Sequence, residues 1–360
     1  MSKQHFALLL PAVGADFTVG TRATPTPGPG QVLVRNKAVA LNPIERLVKQ
    51  TGFLIGEYGF PAVVGSDGAG EIAALGPDVA GWKTGDRVLY QSWYNPDRGT
   101  FQEFTIADAV RVAKIPDDIS FESAATVPLT LATAAIGAYK ERASTLRPNG
   151  HDLGGAGLTP PWEAGGRGKY AGKVALVLGG SSSVGRFAIQ LAKLSGFSTI
   201  ITTASKRNEA YCKDAGATHV IDYKNVPYAD LPAALHKIVG DEPIAYIYDA
   251  ASSPESQKTG WGVLSAGGAM VVVLPPSPEI HAPGKDDEKG RRLVSVFGNF
   301  NDPDNQEFGK GLYAKLTELL EKGELKPNQP EVVGQGLDAI SAGLDKLGKG
   351  ISGVKLVVTL

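Results

Sequence analysis

The chain has 360 residues, 42% of them hydrophobic and 20% charged, with 36 basic against 37 acidic side chains and a formal net charge of −1. That length provides for two domains with buried cores, and a balanced charge without a basic stripe argues against a nucleic-acid or acidic-membrane partner. No apolar run reaches transmembrane length, MSKQHFALLLPAVG lacks a cleavage signal, and Cys212 stands alone, which excludes an intrachain disulfide and leads us to expect a cytoplasmic protein.

The first third carries short apolar runs: QVLVRNKAVAL from Gln31, AGEIAALG from Ala69, DRVLY from Asp86 and FQEFTIA from Phe101. Turn residues separate them closely, which reads as an antiparallel, partly closed β-domain. FESAATVPLTLATAAIGAYKE from Phe121 reads as a helix that Pro128 kinks or breaks. From Leu146 to Gly172, glycines and prolines leave no steady period and mark a surface insert. The insert is either a tolerated loop or a lid that brings Trp162 and Tyr170 to a substrate mouth.

The stretch from Val174 to Leu194, VALVLGGSSSVGRFAIQLAKL, runs from an apolar strand through a Gly/Ser turn into an amphipathic helix. The N–H groups that open a helix have no intrahelical acceptor, and the peptide dipoles favour negative charge there, so the turn suits a pyrophosphate. Gly179, Gly180, Ser181, Ser182, Ser183 and Gly185 are small enough for close backbone approach, with Gly180 or Gly185 expected to take the positive φ. STIITTA, THVIDY, IAYIYDA, AMVVVL and RLVSVFG follow at α/β spacing and read as parallel strands with helical crossovers. Cys212 falls on the helix KRNEAYCKDAG as a half-buried residue. EFGKGLYAKLTELLEKGEL from Glu307 reads as a helix and GVKLVVTL from Gly353 as a last strand, with no internal repeat.

Nucleotide choice follows from the end of the strand after the glycine turn. NAD sites place an acidic residue about 20 residues beyond that turn to hold the ribose 2′-hydroxyl. Here the strand ends in Thr203, Ala204, Ser205, Lys206 and Arg207. Two cations with hydroxyls suit a 2′-phosphate, so NADPH is expected. The alternative is that Lys206 and Arg207 only solvate the next helix.

Asn42 and Pro43 after a strand, GSDGAGEIAALG from Gly65, GDRV from Gly85, AATVPLTLATA from Ala124, GGSSSVG from Gly179 and GATHVIDY from Gly216 occur in that order. In these, over nearly its full length, the chain resembles the medium-chain dehydrogenase/reductase superfamily. It is most similar to the zinc-free quinone oxidoreductase and enoyl reductase branch, and its insert WEAGGRGKYAG from Trp162 to fungal ToxD-like proteins. The resemblance implies an α/β fold: a GroES-like partly closed β-barrel of residues 1–125 and 326–360, and a Rossmann doubly wound sheet of residues 126–325 with 146–172 inserted. It places the active site in the cleft. It also implies Val184 beside the pyrophosphate, Tyr223 near the adenosine end and Lys355 reaching the cofactor. Asn42 would lie beside the nicotinamide, Thr133 near its carboxamide, and Leu274 with Phe297, Gly298 and Asn299 at the same end. Each has a plainer role: Asn42 capping a turn, Thr133 bonding its own helix, Val272 to Leu274 as buried strand.

Zinc relatives need soft or imidazole ligands, yet between His5 and His151 there is no Cys or His. Where zinc enzymes carry a His-Glu pair the chain reads Ser66 and Asp67; with Glu45 and Glu71 these make a poor zinc set. Without a Lewis acid, substrates activated by conjugation are favoured. The branch often carries a proton donor just after the NP segment, where this chain has Leu47 and Phe53. Tyr58, Tyr94 and Lys49 lie nearby, with Tyr58 the candidate carried forward, and solvent protonation is equally open. The expected activity is NADPH-dependent, zinc-independent hydride transfer to an activated C=C or a quinone. The alternatives are ketone or aldehyde reduction, and NADPH binding without significant turnover. Expected partners are a small-molecule substrate and no nucleic acid or membrane, in a monomer or homodimer.

Overall fold

The computed structural model describes residues 3–143, 145–147 and 150–360, so positions 1 and 2 of the expected first domain and 148 and 149 of the insert lie outside the described residues. The chain begins with β1 (Gln4–Leu10), β2 (Thr18–Ala23), β3 (Gln31–Ala40), α1 (Pro43–Thr51), β4 (Ala62–Val63), β5 (Asp67–Leu75), β6 (Arg87–Gln91), β7 (Phe104–Asp108) and β8 (Val112–Lys114). Two helices follow, α2 (Phe121–Ala125) and α3 (Pro128–Tyr139), interrupted just ahead of Pro128, which has no N–H to continue α2 and opens α3 instead. Then come β9 (Val174–Leu178), α4 (Ser183–Leu194), β10 (Thr199–Ala204), α5 (Glu209–Ala215), β11 (His219–Asp222), α6 (Leu231–Val239), β12 (Tyr246–Asp249), α7 (Pro254–Val263), β13 (Ala269–Val272) and β14 (Arg292–Ser295). The chain closes with α8 (Gln306–Glu321), β15 (Pro330–Gln335), α9 (Ala339–Gly348) and β16 (Lys355–Thr359). Among the described residues no helix is long and apolar enough to cross a membrane.

Contacts divide the chain into two units. The first takes the residues up to Leu129 with Phe300–Gly323 and Pro327–Leu360. It holds the small sheet β2-β1-β4 and a larger one in the order β15-β16-β3-β5-β6-β8, with β7 also paired to β3. The long β3 shifts register against β5 between Leu33 and Val34 and between Asn36 and Ala38. Such irregularities bend a strand, and the two halves of β3 serve two cores. Val32 and Val34 pack with Ile72, Val88 and Tyr90, while Val39 packs with Leu8, Leu356 and Val358.

The second unit, Thr130–Asn299 with Glu324–Lys326, is built on six parallel strands in the order β11-β10-β9-β12-β13-β14. Both faces of such a sheet are covered, which is why VALVL of β9 is apolar without alternation and wholly buried. The chain winds outward from β9 to β11, then returns to β12 on the other side. The strand order therefore reverses at β9 and β12, the switch point beyond whose carboxyl ends ligands bind in doubly wound sheets.

Three sequence expectations change. Residues 300–323 were expected in the nucleotide-binding domain, but α8 packs on the segment around β8: Thr317 donates to the Lys114 carbonyl at 3.1 Å, and Tyr313 Oη accepts the Gln91 N–H at 3.0 Å. Trp162 and Tyr170 do not form a lid over the carboxyl ends of the strands, although His151 and Asp152 of the insert do meet Ser295, the last residue of β14. Trp162 meets Tyr139 edge to face at 5.2 Å, and Tyr170 stacks on Phe197, which stacks on Tyr246, the first residue of β12. These rings seal the amino-terminal edge of the sheet, where the starts of β10 and β12 expose apolar surface. Cys212 is fully buried rather than half-buried, and burial pushes its thiol up to about 11, which suits packing rather than reaction.

Candidate active site

The glycine turn of the second unit is assembled by packing as well as by conformation. Gly179 takes φ +78°, so the positive φ expected at Gly180 or Gly185 falls one residue earlier, directly after β9. A Cβ on Gly180 would lie 2.0 Å from Thr202 Oγ1 and 2.7 Å from Ile189 Cδ1; one on Gly185 would lie 2.3 Å from the Gly179 carbonyl oxygen. Those two glycines let α4 sit tightly on its strand. Gly185→Ala is expected to cost about 1–3 kcal/mol in urea unfolding through overpacking, and an unchanged midpoint would contradict this close approach.

Around the turn, Thr203 Oγ1 accepts the Gly179 N–H at 3.0 Å, and Ser182, the N-cap of α4, accepts the Gly185 N–H at 3.1 Å. The N–H groups of Ser183 and Val184 lie in the first turn, where the helix itself offers no acceptor. Beside them at the end of β12, Asp249 accepts from Ala251, Ser252 and Ser256 and fixes the neighbouring loop, while burial pushes its carboxyl up to about 6. Thr203 was read from the sequence only as a hydroxyl near the 2′-phosphate, and Asp249 was not read at all, because each acts from a neighbouring strand.

At the end of β10, Ser205 is buried and accepts from Asn208 Nδ2 at 3.2 Å. Arg207 is exposed with no ion pair among the described residues, whereas Lys206 is paired to Glu209, which also binds Lys213 at 2.7 Å. The two lysines hold the Glu209 carboxyl down at about 2. Asp222 pairs in register with Ala204, which places Tyr223, 42% exposed, beside Ser205 at the same sheet edge. Leu274, 50% exposed, follows β13 at this edge, where Ser252 Oγ accepts the Val273 N–H at 2.9 Å. Phe297 follows β14, and the adjacent Gly298 is so close to Thr133 that a Cβ would lie 2.1 Å from Thr133 Oγ1. Thus Thr133, the glycine turn, Ser205 to Arg207, Tyr223, Leu274 and Phe297 gather at the carboxyl edge of one sheet.

The first unit holds a buried polar cluster drawn from four distant segments. Asn42, Glu45, Ser66, Asp67, Tyr94 and Lys355 are each no more than 3% exposed. Asn42 opens α1, and its N–H donates to Glu45 Oε2 at 2.6 Å. Its Nδ2 donates to Asp67 Oδ2 at 2.9 Å, and its Oδ1 accepts from Lys355 Nζ. The Lys355 ammonium lies 3.3 Å from Asp67, whose other oxygen accepts the Leu129 N–H at 2.7 Å in the first turn of α3. Ser66 Oγ bridges Glu45 Oε1 at 2.7 Å and Tyr94 Oη at 2.6 Å. Burial raises both carboxyls; at Asp67, Lys355 and Asn42 oppose it.

Tyr58 is not part of this cluster: it stands on a short 3₁₀ turn, Gly56–Tyr58, 41% exposed. Lys49 is drawn to the surface by Asp16 at 3.0 Å. Sequence reading named Asn42 and Lys355 but treated Glu45 and Asp67 only as weak zinc ligands. The Asn-x-x-Glu spacing of a helix N-terminus was the available signal for Glu45.

The donor set does not fit a zinc site: it offers carboxylates, hydroxyls, an amide and a resident ammonium, without thiolate or imidazole. Among the described residues no group of three His, Cys, Asp or Glu side chains is arranged to hold a metal. The turn and sheet edge of the second unit do fit a dinucleotide: small side chains, helix N–H groups without an intrahelical acceptor and an arginine with no ion pair among the described residues converge there.

The alcohol dehydrogenase GroES-like domain model matches residues 28–117, and the zinc-binding dehydrogenase model matches residues 183–308. The chain is 35% identical to a trans-enoyl reductase, tndF, of Aspergillus flavipes, covering 100% of both chains, and 30% identical to the dehydrogenase orsE of Emericella nidulans, covering 98% of this chain and 99% of the relative. The chain belongs to the medium-chain dehydrogenase/reductase superfamily. It is an oxidoreductase of that superfamily, whose dehydrogenases bind a nicotinamide cofactor, and its relatives are named trans-enoyl reductases and dehydrogenases. An alcohol dehydrogenase superfamily protein from Novosphingobium aromaticivorans shares the fold with a TM-score of 0.78 at 25% identity, over 99% of each chain.

Proposed function

We propose that this member of the superfamily is an NADPH-dependent, zinc-independent reductase of activated C=C bonds, in enones, enals or enoyl compounds, or of quinones. What carries the reading is Lys355: its ammonium is bound to Asn42 and to Asp67, one of the two residues that stand where zinc relatives carry a His-Glu pair, so charge developing on an acceptor oxygen meets a fixed protein cation. The full-length similarity to a trans-enoyl reductase supports a conjugated acceptor, where the charge left by hydride addition spreads onto a carbonyl oxygen.

A bound nicotinamide supplies the hydride. The chain's own part is orientation. Gly179, Gly180, Ser181, Ser182, Ser183 and Val184 hold the pyrophosphate, and Ser205, Lys206, Arg207 and Tyr223 the adenosine 2′-phosphate. Thr133, Leu274 and Phe297 line the nicotinamide end, and in the other unit Asn42 and Lys355 are the polar groups for the acceptor. The proton that completes the reduction comes from solvent, because a delocalised anion needs no dedicated acid.

NADPH oxidation with a panel of enones, quinones, ketones and aldehydes, chelator present and products identified, tests this. Chelator-resistant formation of saturated carbonyls or hydroquinones is expected. Chelator-sensitive turnover would overturn zinc independence, and alcohols from ketones or aldehydes alone would move the activity to carbonyl reduction.

A further inference from the structure

We infer that Glu45 stands as a protonated carboxylic acid and is a positioning residue for the reduction, holding Asn42, and through it Lys355, only while that proton is in place. The role in reduction rests on the reading proposed above; the protonation state does not.

The cluster contains two carboxyls and one ammonium, all nearly excluded from water. The ammonium is committed to Asp67 at 3.3 Å and to Asn42 Oδ1. Asp67 also receives the Asn42 amide and the Leu129 N–H at the positive end of α3, so Asp67 is the ionised member. Among the described residues Glu45 has the Asn42 N–H, Ser66 and a long 3.4 Å contact from Asn42 Nδ2, and no cation within ion-pair distance. The groups that face it are Asp67 from β5, Lys355 from β16 and Tyr94 from the loop after β6; its neighbour Arg46 is turned onto Gly348 of α9. A second negative charge here would be uncompensated. Burial, reinforced by Asp67 and opposed by Ser66 and Lys355, raises the Glu45 carboxyl to about 7.

The hydrogen bonds allow both states but not the same geometry. Protonated on Oε1, Glu45 donates to Ser66, which donates to Tyr94. Ionised, Glu45 accepts from Ser66, and Tyr94 must turn its hydroxyl hydrogen inward. Asn42 Nδ2, now 2.9 Å from Asp67 and 3.4 Å from Glu45 Oε1, and the Lys355 ammonium would then be shared between two carboxylates. That loosens the two polar groups proposed to serve the acceptor. The proton lost from Glu45 passes to solvent, and no other bond changes.

The linkage has a definite sign. A carboxyl whose value is raised on folding stabilises the protein fully at acid pH, and that contribution fades as pH rises through the folded value, here about 7. The test measures thermal midpoint and kcat/KM across this range for the full chain with NADPH and an enone, using wild type, Glu45→Gln, Glu45→Ala and Asp67→Asn. Wild type should lose thermal stability around neutrality and show kcat/KM about tenfold lower at a pH one unit above that value than one unit below it. Glu45→Gln should be flat in both over the same range and more stable than wild type on the alkaline side. Glu45→Ala, with no acceptor for the Asn42 N–H, should lose turnover at every pH, and Gln should restore it. Asp67→Asn should move the transition to lower pH, because Lys355 becomes free to pair with Glu45. Parallel loss of stability in wild type and Glu45→Gln would overturn the protonated state. An enone-reducing wild type without the alkaline limb would overturn the positioning role. If wild type reduces no acceptor, the reduction reading fails and the positioning role with it, while the stability curves still decide where the proton lies.

Discussion

Lys355→Met is expected to lower the free energy of unfolding by about 3–5 kcal/mol at neutral pH, the cost of removing one partner from a buried ion pair. Methionine keeps most of the aliphatic length, so the loss isolates the charge. What remains is Asp67, fully buried, with the Asn42 amide and the Leu129 N–H but no cation. Its carboxyl, already raised by burial, should rise further and take up a proton. By linkage, a raised carboxyl contributes its stability at low pH and loses it as pH increases. The penalty should therefore be smaller at mildly acid than at mildly alkaline pH. Urea unfolding of both proteins on either side of neutrality reads this directly, and an equal penalty at the two pH values would contradict the ion pair. Turnover should fall as well, because the same ammonium is the proposed cation at the acceptor oxygen.

The second large effect concerns nucleotide choice. Lys206→Ala combined with Arg207→Ala should weaken NADPH binding about a hundredfold while changing NADH by less than about threefold. Arg207 should account for most of it. Among the described residues it has no ion pair at the end of β10, and its planar fork suits two parallel hydrogen bonds to a phosphate, whereas Lys206 is already engaged by Glu209. Equal losses for both nucleotides, measured by fluorescence titration, would remove these residues from the 2′-phosphate.

The contrast between the two halves of the site explains what a sequence can carry. The dinucleotide turn is contiguous: strand, glycines, N-cap and helix lie within Val174 to Leu194, and each has a local physical signature. The parallel order of the sheet follows from apolar strands at α/β spacing. Which glycine takes the positive φ was not legible, since the neighbours that crowd the turn, Ala251 at Gly179 and Thr202 with Ile189 at Gly180, come from elsewhere in the fold. The polar cluster was legible only in fragments. Asn42, Asp67, Tyr94 and Lys355 lie on segments that meet because β3 pairs with both β5 and β16, and no window of sequence displays that pairing. The aromatic residues of the insert misled for a similar reason. Trp162 and Tyr170 resemble lid residues until Tyr139 and Phe197 are seen to receive them at the amino-terminal edge of the sheet.

Hydride delivery to carbon of a conjugated acceptor leaves an isotopic record in the product. NADPH deuterated on the transferring face of nicotinamide C4 would be incubated with an enone in ordinary water and chelator, and the product examined by NMR. Deuterium at the β-carbon of a saturated ketone, with protium at the α-carbon, is the predicted result. Deuterium on the former carbonyl carbon of an allylic alcohol would contradict it.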